Sequence, residues 1–303
     1  MASATVHAVL RAGIRDFDTA PLYTDSEDKL GHALLTASPS NTGQSVVFLR
    51  DRLVVGGKEV RIYTKTGRLV RRRIKDAPEG DLGWRPAEVV KVTEDGAHGP
   101  RRVGPVTVEK TLPIPKNQRG IADDFSANGA FTSYAESLGR LGTHARVHTL
   151  RMHDADTAGG KGARLASGAL DQAALPTGML AGLKAMRTDG TIENVSLGMN
   201  AHRKHMGRWT PSVIIDLIDA VPEGTIDSAL LAYGWNLLCQ DGLEVMVKCQ
   251  QAGIAVHIAG TFGGEQCAYL PCTLLPLPSR SDALACCCCR LNLPAVRGEQ
   301  ASG

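Results

Sequence analysis

Aromatic residues are scarce. Phe, Trp and Tyr make up 4% of the 303 residues, too few for the stacking surface that accompanies a basic face in nucleic-acid binders. Neither sign of charge dominates: 34 Lys and Arg against 31 Asp and Glu leave a formal net charge of +3, which predicts no strong field and no steering of polyanions. The densest basic run, Arg68, Arg71, Arg72, Arg73 and Lys75, is followed by Asp76, Glu79 and Asp81 and reads as a solvated loop. No apolar run reaches the roughly 18 residues that a membrane helix needs. Met1–Gly13 lacks the apolar region of a signal peptide, so no membrane association is expected and a cytoplasmic location is. Cysteine is absent before Cys239, which leaves the main body without a disulfide framework and fits a reducing compartment. The run Cys286–Cys289 lacks the paired Cys-x-x-Cys spacing that wraps thiolates around one zinc. It reads as low-complexity tail, and no metal site is expected.

What is present is alternation. Strand-like runs lie near 14–18, 60–65, 147–152, 192–198, 227–232 and 254–259, and helical patterns near 27–36, 130–142, 169–188, 211–220 and 240–252. Such alternation predicts a parallel sheet with crossover helices; periodicity alone does not separate a barrel from a doubly wound sheet. Residues 67–125 break the pattern with Gly, Pro and charges and read as a long loop, part of it a lid over the site. The glycine-rich stretch 159–163 lacks the spacing of a phosphate-binding loop and reads as a connector. After Gly264 neither periodicity continues.

The most informative stretch is 13–31, Gly-Ile-Arg-Asp-Phe-Asp-Thr-Ala-Pro-Leu-Tyr-Thr-Asp-Ser-Glu-Asp-Lys-Leu-Gly. A short strand ends at Asp18, Pro21 turns the chain, and Ser26 reads as the N-cap of a helix with Glu27 and Asp28 in its first turn. An acid and the phenol of Tyr23 thus meet at the C-terminal end of a βα unit, where parallel α/β folds place their chemistry. Lys65 ends the strand Ile-Tyr-Thr-Lys, and His153 with Asp154 ends the strand Val-His-Thr-Leu-Arg-Met-His. Taken singly, a lysine or histidine at a strand end is more often structural or solvated.

Taken together, these segments resemble the aldo-keto reductase family: Gly13, Asp18, Thr19, Ala20, Tyr23, Ser26, Glu27, Leu30 and Gly31 match its second-strand signature, and Lys65 and His153 its catalytic lysine and histidine. The segments 65–68, 124–129, 136–142, 198–200 and 230–238 resemble its D-threo-aldose 1-dehydrogenase branch, which includes L-fucose and L-galactose dehydrogenases. The resemblance implies a (β/α)₈ TIM-type barrel over 1–264, lacking counterparts of the first and eighth strands, with 67–125 inserted and 265–303 a divergent tail. It also implies NAD or NADP as cofactor, a small sugar or carbonyl as substrate, and oxidation of an aldose at C1 to its lactone. Asp18, Tyr23, Lys65 and His153 would be the catalytic residues, with Lys65 lowering the pKa of the Tyr23 phenol. Asn200, Trp235, Gly260 and Gly263 would contact the cofactor. Two alternatives stay open at this point: a non-catalytic barrel acting as a binding subunit, and an incomplete enzyme unable to hold cofactor.

Overall fold

The computed structural model describes residues 2–49, 52–73, 84–85, 89–94, 97–98, 101–102, 106–111, 119–142, 146–155, 178–202, 204–205, 208–236 and 239–261. Among them, six strands form one parallel sheet: β1 (Asp16–Asp18), β2 (Arg61–Thr66), β3 (Val147–His153), β4 (Asn194–Asn200), β5 (Ser228–Ala232) and β6 (Ala255–Ala259). Their spatial order follows their chain order, without the reversal that marks a doubly wound sheet. The sheet is therefore a half-barrel of the (β/α)₈ kind. The Cys286–Cys289 run and the 159–163 stretch lie outside the described residues.

Helices α1 (Ala2–Arg11), α2 (Ser26–Leu35), α3 (Pro39–Thr42), α4 (Ala127–Leu141), α5 (Met179–Thr188), α6 (Thr210–Ala220) and α7 (Leu243–Gln251) accompany the strands. Side chains alternate across a strand, and that alternation divides the sheet. Ile62, Leu150, Met152, Val195, Leu197, Met199, Ala229 and Leu231 form a buried apolar layer with Leu30, Leu34, Leu183, Met186, Val213, Leu217 and Val245 of the helices. The alternate positions carry Tyr63, Lys65, Arg151, His153, Ser196, Asn200 and His257. The apolar face holds the fold together, and the opposite face is left for polar groups.

Two local readings change, and one gains a role. Ser26 is the first helical residue rather than the N-cap: Asp25 holds the cap position without a side-chain cap bond, and the Ser26 hydroxyl instead pairs with Thr19 Oγ1 at 2.8 Å. Glu27 stands in the first helical turn, as expected. It is buried and accepts from Thr64 Oγ1 (2.5 Å) and Arg140 Nε (2.6 Å), joining β2 to α2 and α4. The described parts of 67–125 are strands, not loop. Arg68–Arg73 pairs antiparallel with Arg119–Asp123, and Val89–Glu94 with Val106–Thr111. Val46–Phe48, Leu53–Val55 and Lys58–Glu59 form a further small antiparallel sheet. Val90–Thr93 and Val106–Glu109 do alternate apolar and polar residues, but each alternation is only four residues long and the Gly, Pro and charges around it hide the signal.

Candidate active site

The parallel register sets the site. Asp18 lies opposite Tyr63, Arg151 opposite Lys65, and His153 opposite Gly198, so residues distant in sequence end their strands at one level. Lys65 is 1% exposed. Its ammonium donates to Asp18 Oδ1 and to the Thr19 carbonyl at 2.8 Å. Burial lowers its pKa, and Asp18 opposes that shift. The other carboxylate oxygen of Asp18 accepts from Arg151 Nε at 2.9 Å.

Above this ionic group lies the Tyr23 ring, its centroid 4.7 Å from the Lys65 ammonium, close enough for a cation–π attraction. The His153 ring meets it edge-on with centroids 5.8 Å apart. Tyr23 keeps 45% of its surface exposed. Partial burial first, and then the carboxylates of Asp18 and Asp154, push its phenol up to about 12. The expected lowering by Lys65 does not occur: Asp18 neutralises the ammonium while adding its own negative charge beneath the phenol. Burial, with the Lys65 and Arg68 charges, drives His153 down to about 3, so its imidazole is neutral. Among the described residues its buried Nδ1 finds no hydrogen-bond partner. A cavity of about 360 Å³ opens here, lined by Asp18, Tyr23, Lys65, His153, Asp154 and Asn200, among others.

The sequence profile of the Aldo/keto reductase family matches residues 1–264. This chain belongs to that family. No curated protein matches it. Solved structures similar to this chain include a protein from Pseudomonas aeruginosa assigned to the aldo-keto reductases, with 17% identity over 85% of this chain and 65% of that one (TM-score 0.44). Another is the glycerol dehydrogenase of Gluconobacter oxydans, with 15% identity over 86% and 53% (TM-score 0.48). A third is the aldose reductase of Giardia lamblia, with 11% identity over 84% and 59% (TM-score 0.41). The chain thus spans less than two thirds of the length of each of these proteins.

In this aldo/keto reductase the four residues expected to be catalytic, Asp18, Tyr23, Lys65 and His153, line one cavity, and Asn200 and Gly260 line it with them. Trp235 is not among the lining residues; Tyr233, two positions earlier, is. Gly263 lies outside the described residues. The nicotinamide end of a cofactor fits what is present. Asn200 donates its Nδ2 to Asp154 Oδ1 at 3.1 Å, which leaves its carbonyl oxygen to accept from a carboxamide. Gly260 adopts φ +71°, and a Cβ there would collide with the Tyr233 ring, so a bare backbone stands at the cavity wall.

Two residues escaped sequence reading. Arg151 is one, and the only local hint is a cation between Leu150 and Met152, in phase with His153. Tyr233 is the other, at φ +59° with its ring 5.3 Å from that of His202. Its position directly after β5 was the available signal. Among the described residues no cluster of His, Cys, Asp or Glu is arranged around a metal, and no helix is long and apolar enough to cross a membrane.

Proposed function

We propose that this aldo/keto reductase moves hydride between NAD or NADP and C1 of a cyclic aldose such as L-galactose or L-fucose, giving the aldonolactone. The observation that carries the reading is the convergence of Asp18, Tyr23, Lys65 and His153 on one cavity at the C-terminal ends of the strands. When bound, the nicotinamide supplies the hydride acceptor. The protein's part is the proton. In oxidation, the C1 hydroxyl proton goes to the Tyr23 oxygen as the C1–H bond breaks and the C1=O bond forms; reduction runs the same transfers backward. Lys65 lies over the Tyr23 ring and Asp18 fixes its ammonium. Neutral His153 offers a hydrogen bond to the substrate oxygen without adding charge.

A phenol held near 12 is a proton donor at neutral pH, so the ground state favours reduction. Oxidation needs the ionised form, and its rate should climb about tenfold per pH unit through the alkaline range until the phenol titrates. The aldose class is supported by the likeness of segments 65–68, 198–200 and 230–238 to the aldose dehydrogenase branch.

The test is a titration of NADH and NADPH followed by nicotinamide fluorescence, then turnover with L-galactose, L-fucose and D-arabinose against pyridoxal and simple aldehydes. Cofactor binding and preferential oxidation of the three sugars are expected. Far faster turnover of pyridoxal or simple aldehydes removes the aldose assignment and leaves only the family. Tyr23→Phe should bind cofactor normally and lose at least about 10²-fold in turnover; retention of a tenth or more takes the proton from Tyr23.

A further inference from the structure

Arg151 is 2% exposed, and every part of its guanidinium is engaged. Nε donates to Asp18 Oδ2 at 2.9 Å, Nη1 to Ser196 Oγ at 2.6 Å, and Nη2 to His257 Nδ1 at 2.9 Å. The Tyr63 ring lies 5.0 Å from its central carbon. These partners come from β1, β4, β6 and β2, so a single side chain of β3 joins four of the other five strands of the sheet. His257 accepts through Nδ1, and burial first, then Arg151, lowers its pKa, so it stands there as the neutral imidazole.

The consequence falls on Asp18. Its two oxygens serve different cations: Oδ1 takes Lys65 and Oδ2 takes Arg151. With one oxygen unheld, the carboxylate could rotate and carry the lysine with it; with both held, its plane is fixed. The local charge also changes from zero for Lys65 and Asp18 to plus one for the three groups. Stability does not account for this arrangement, since two buried cations sharing a carboxylate that is 32% exposed gain little over apolar side chains of the same volume. The planar fork that reaches three acceptors at once is a property of arginine that lysine lacks.

We propose that Arg151 is a positioning residue for proton transfer at Tyr23, holding Asp18 so that Lys65 stays under the phenol and supplying the surplus positive charge there. The inference rests on the reading that Tyr23 exchanges a proton with substrate. Besides Asp18, the charged or titratable groups set against Arg151 are Lys65 and Tyr63 of β2, His257 of β6 and the Tyr23 phenol; Tyr23 itself also faces Asp154, Tyr233 and His153. Farther out, Asp16 and Arg61 pair with each other at 2.6 Å, and His148 meets Glu193 at 3.2 Å.

The test compares Arg151→Met and Arg151→Lys in the full chain, reading kcat, KM for the cofactor and the pH profile of oxidation. A parallel pair of samples carries 3-fluorotyrosine at position 23, whose fluorine shift follows ionisation of the phenol without any turnover. Removing an outer group that orients a reactive one typically costs about 10–100-fold. For Arg151→Met that loss in kcat is expected, with cofactor KM within about twofold, the alkaline limb of the profile moved to higher pH and the fluorine midpoint moved with it. Arg151→Lys keeps the buried charge, so its midpoint should stay close to wild type while kcat still falls for want of the three-point hold. A folded Arg151→Met with wild-type midpoint and kcat overturns the proposal. Should that variant fail to fold, an Arg151→Lys protein with wild-type kcat overturns it equally. If the wild type turns over no aldose or carbonyl while Arg151→Met still moves the midpoint, the functional reading fails and the coupling of Arg151 to Tyr23 stands.

Discussion

Asp154 adopts φ +46°, the left-handed region that costs a non-glycine residue about 1 kcal/mol or more. Its partners repay the strain. Oδ2 accepts from Arg68 at 2.9 Å, Oδ1 from Asn200, and the backbone N–H donates to the Gly198 carbonyl. Turning back toward the cavity lets this carboxylate fix which way the Asn200 amide points. Asp154→Asn keeps the shape and tolerates the left-handed backbone, but replaces charge-assisted bonds by neutral ones, a difference of about 1 kcal/mol. Cofactor affinity, read by fluorescence titration, should fall about fivefold with a smaller change in kcat. Unchanged affinity would detach Asn200 from the carboxamide. Asp18, Tyr23, Lys65 and His153 could be found in the sequence because Asp18, Lys65 and His153 stand at or next to strand ends and Tyr23 lies in the turn after the first of them, each inside a local signature. Arg151 could not: its acceptors stand 133, 45 and 106 positions away, and only the parallel register brings them to it.

The antiparallel pair Arg68–Arg73 and Arg119–Asp123 is tied to the site rather than laid over it. Arg68 reaches Asp154, and Arg71 reaches Glu136 of α4 at 2.7 Å. The joint between this pair and β2 is Gly67, at φ +97°, where a Cβ would run into the Phe125 ring. Gly67→Ala therefore combines backbone strain with overpacking and should destabilise by about 2–4 kcal/mol, measured by urea unfolding. A variant within about 0.5 kcal/mol of wild type would show that the joint tolerates a side chain and does not set the ribbon's course. Sequence reading took Arg71, Arg72 and Arg73 for a solvated run because consecutive cations carry no alternation, and the burial of Arg71 depends on Glu136 from a distant helix. The parallel strands and helices were legible by contrast, since a buried parallel strand needs only an apolar run such as Ala229–Ala232 and a helix only its apolar stripe.

Over the whole molecule the inner face couples stability to acidity. An unfolded histidine titrates near 6.5, whereas folded His153 holds out to about 3. Its folded pKa is depressed, so the unfolded chain binds the extra proton first. The contribution is complete above about 6.5 and drains as pH falls toward 3, by at most ~1.4 kcal/mol per pH unit. Acid unfolding followed by circular dichroism should be shallower between about pH 6 and 4 for His153→Gln than for wild type. Parallel curves would mean that the histidine protonates in place. The existence of the six strands was readable at this scale, but their order came from the family resemblance, because alternation alone fits a doubly wound sheet as well as the sequential order observed. The ionic character of the inner face was not readable, because alternation says which residues share a face and not what they meet there.

The Lys65–Asp18–Arg151 group also sets a hazard for anyone evolving this protein toward heat resistance. The group's two cations are buried and its carboxylate is 32% exposed, so most of its desolvation cost lies with Lys65 and Arg151. Replacing such buried charges by apolar residues of similar volume is often neutral or stabilising by about 1–4 kcal/mol. Asp18→Leu, Lys65→Met and Arg151→Met made together should melt no lower than wild type in calorimetry, while oxidising no substrate. A melting temperature well below wild type would show the cluster to be structural after all. Selection on thermal survival alone would thus favour erasing the chemistry, and a library screened without an activity assay should drift toward a sturdier, inert barrel.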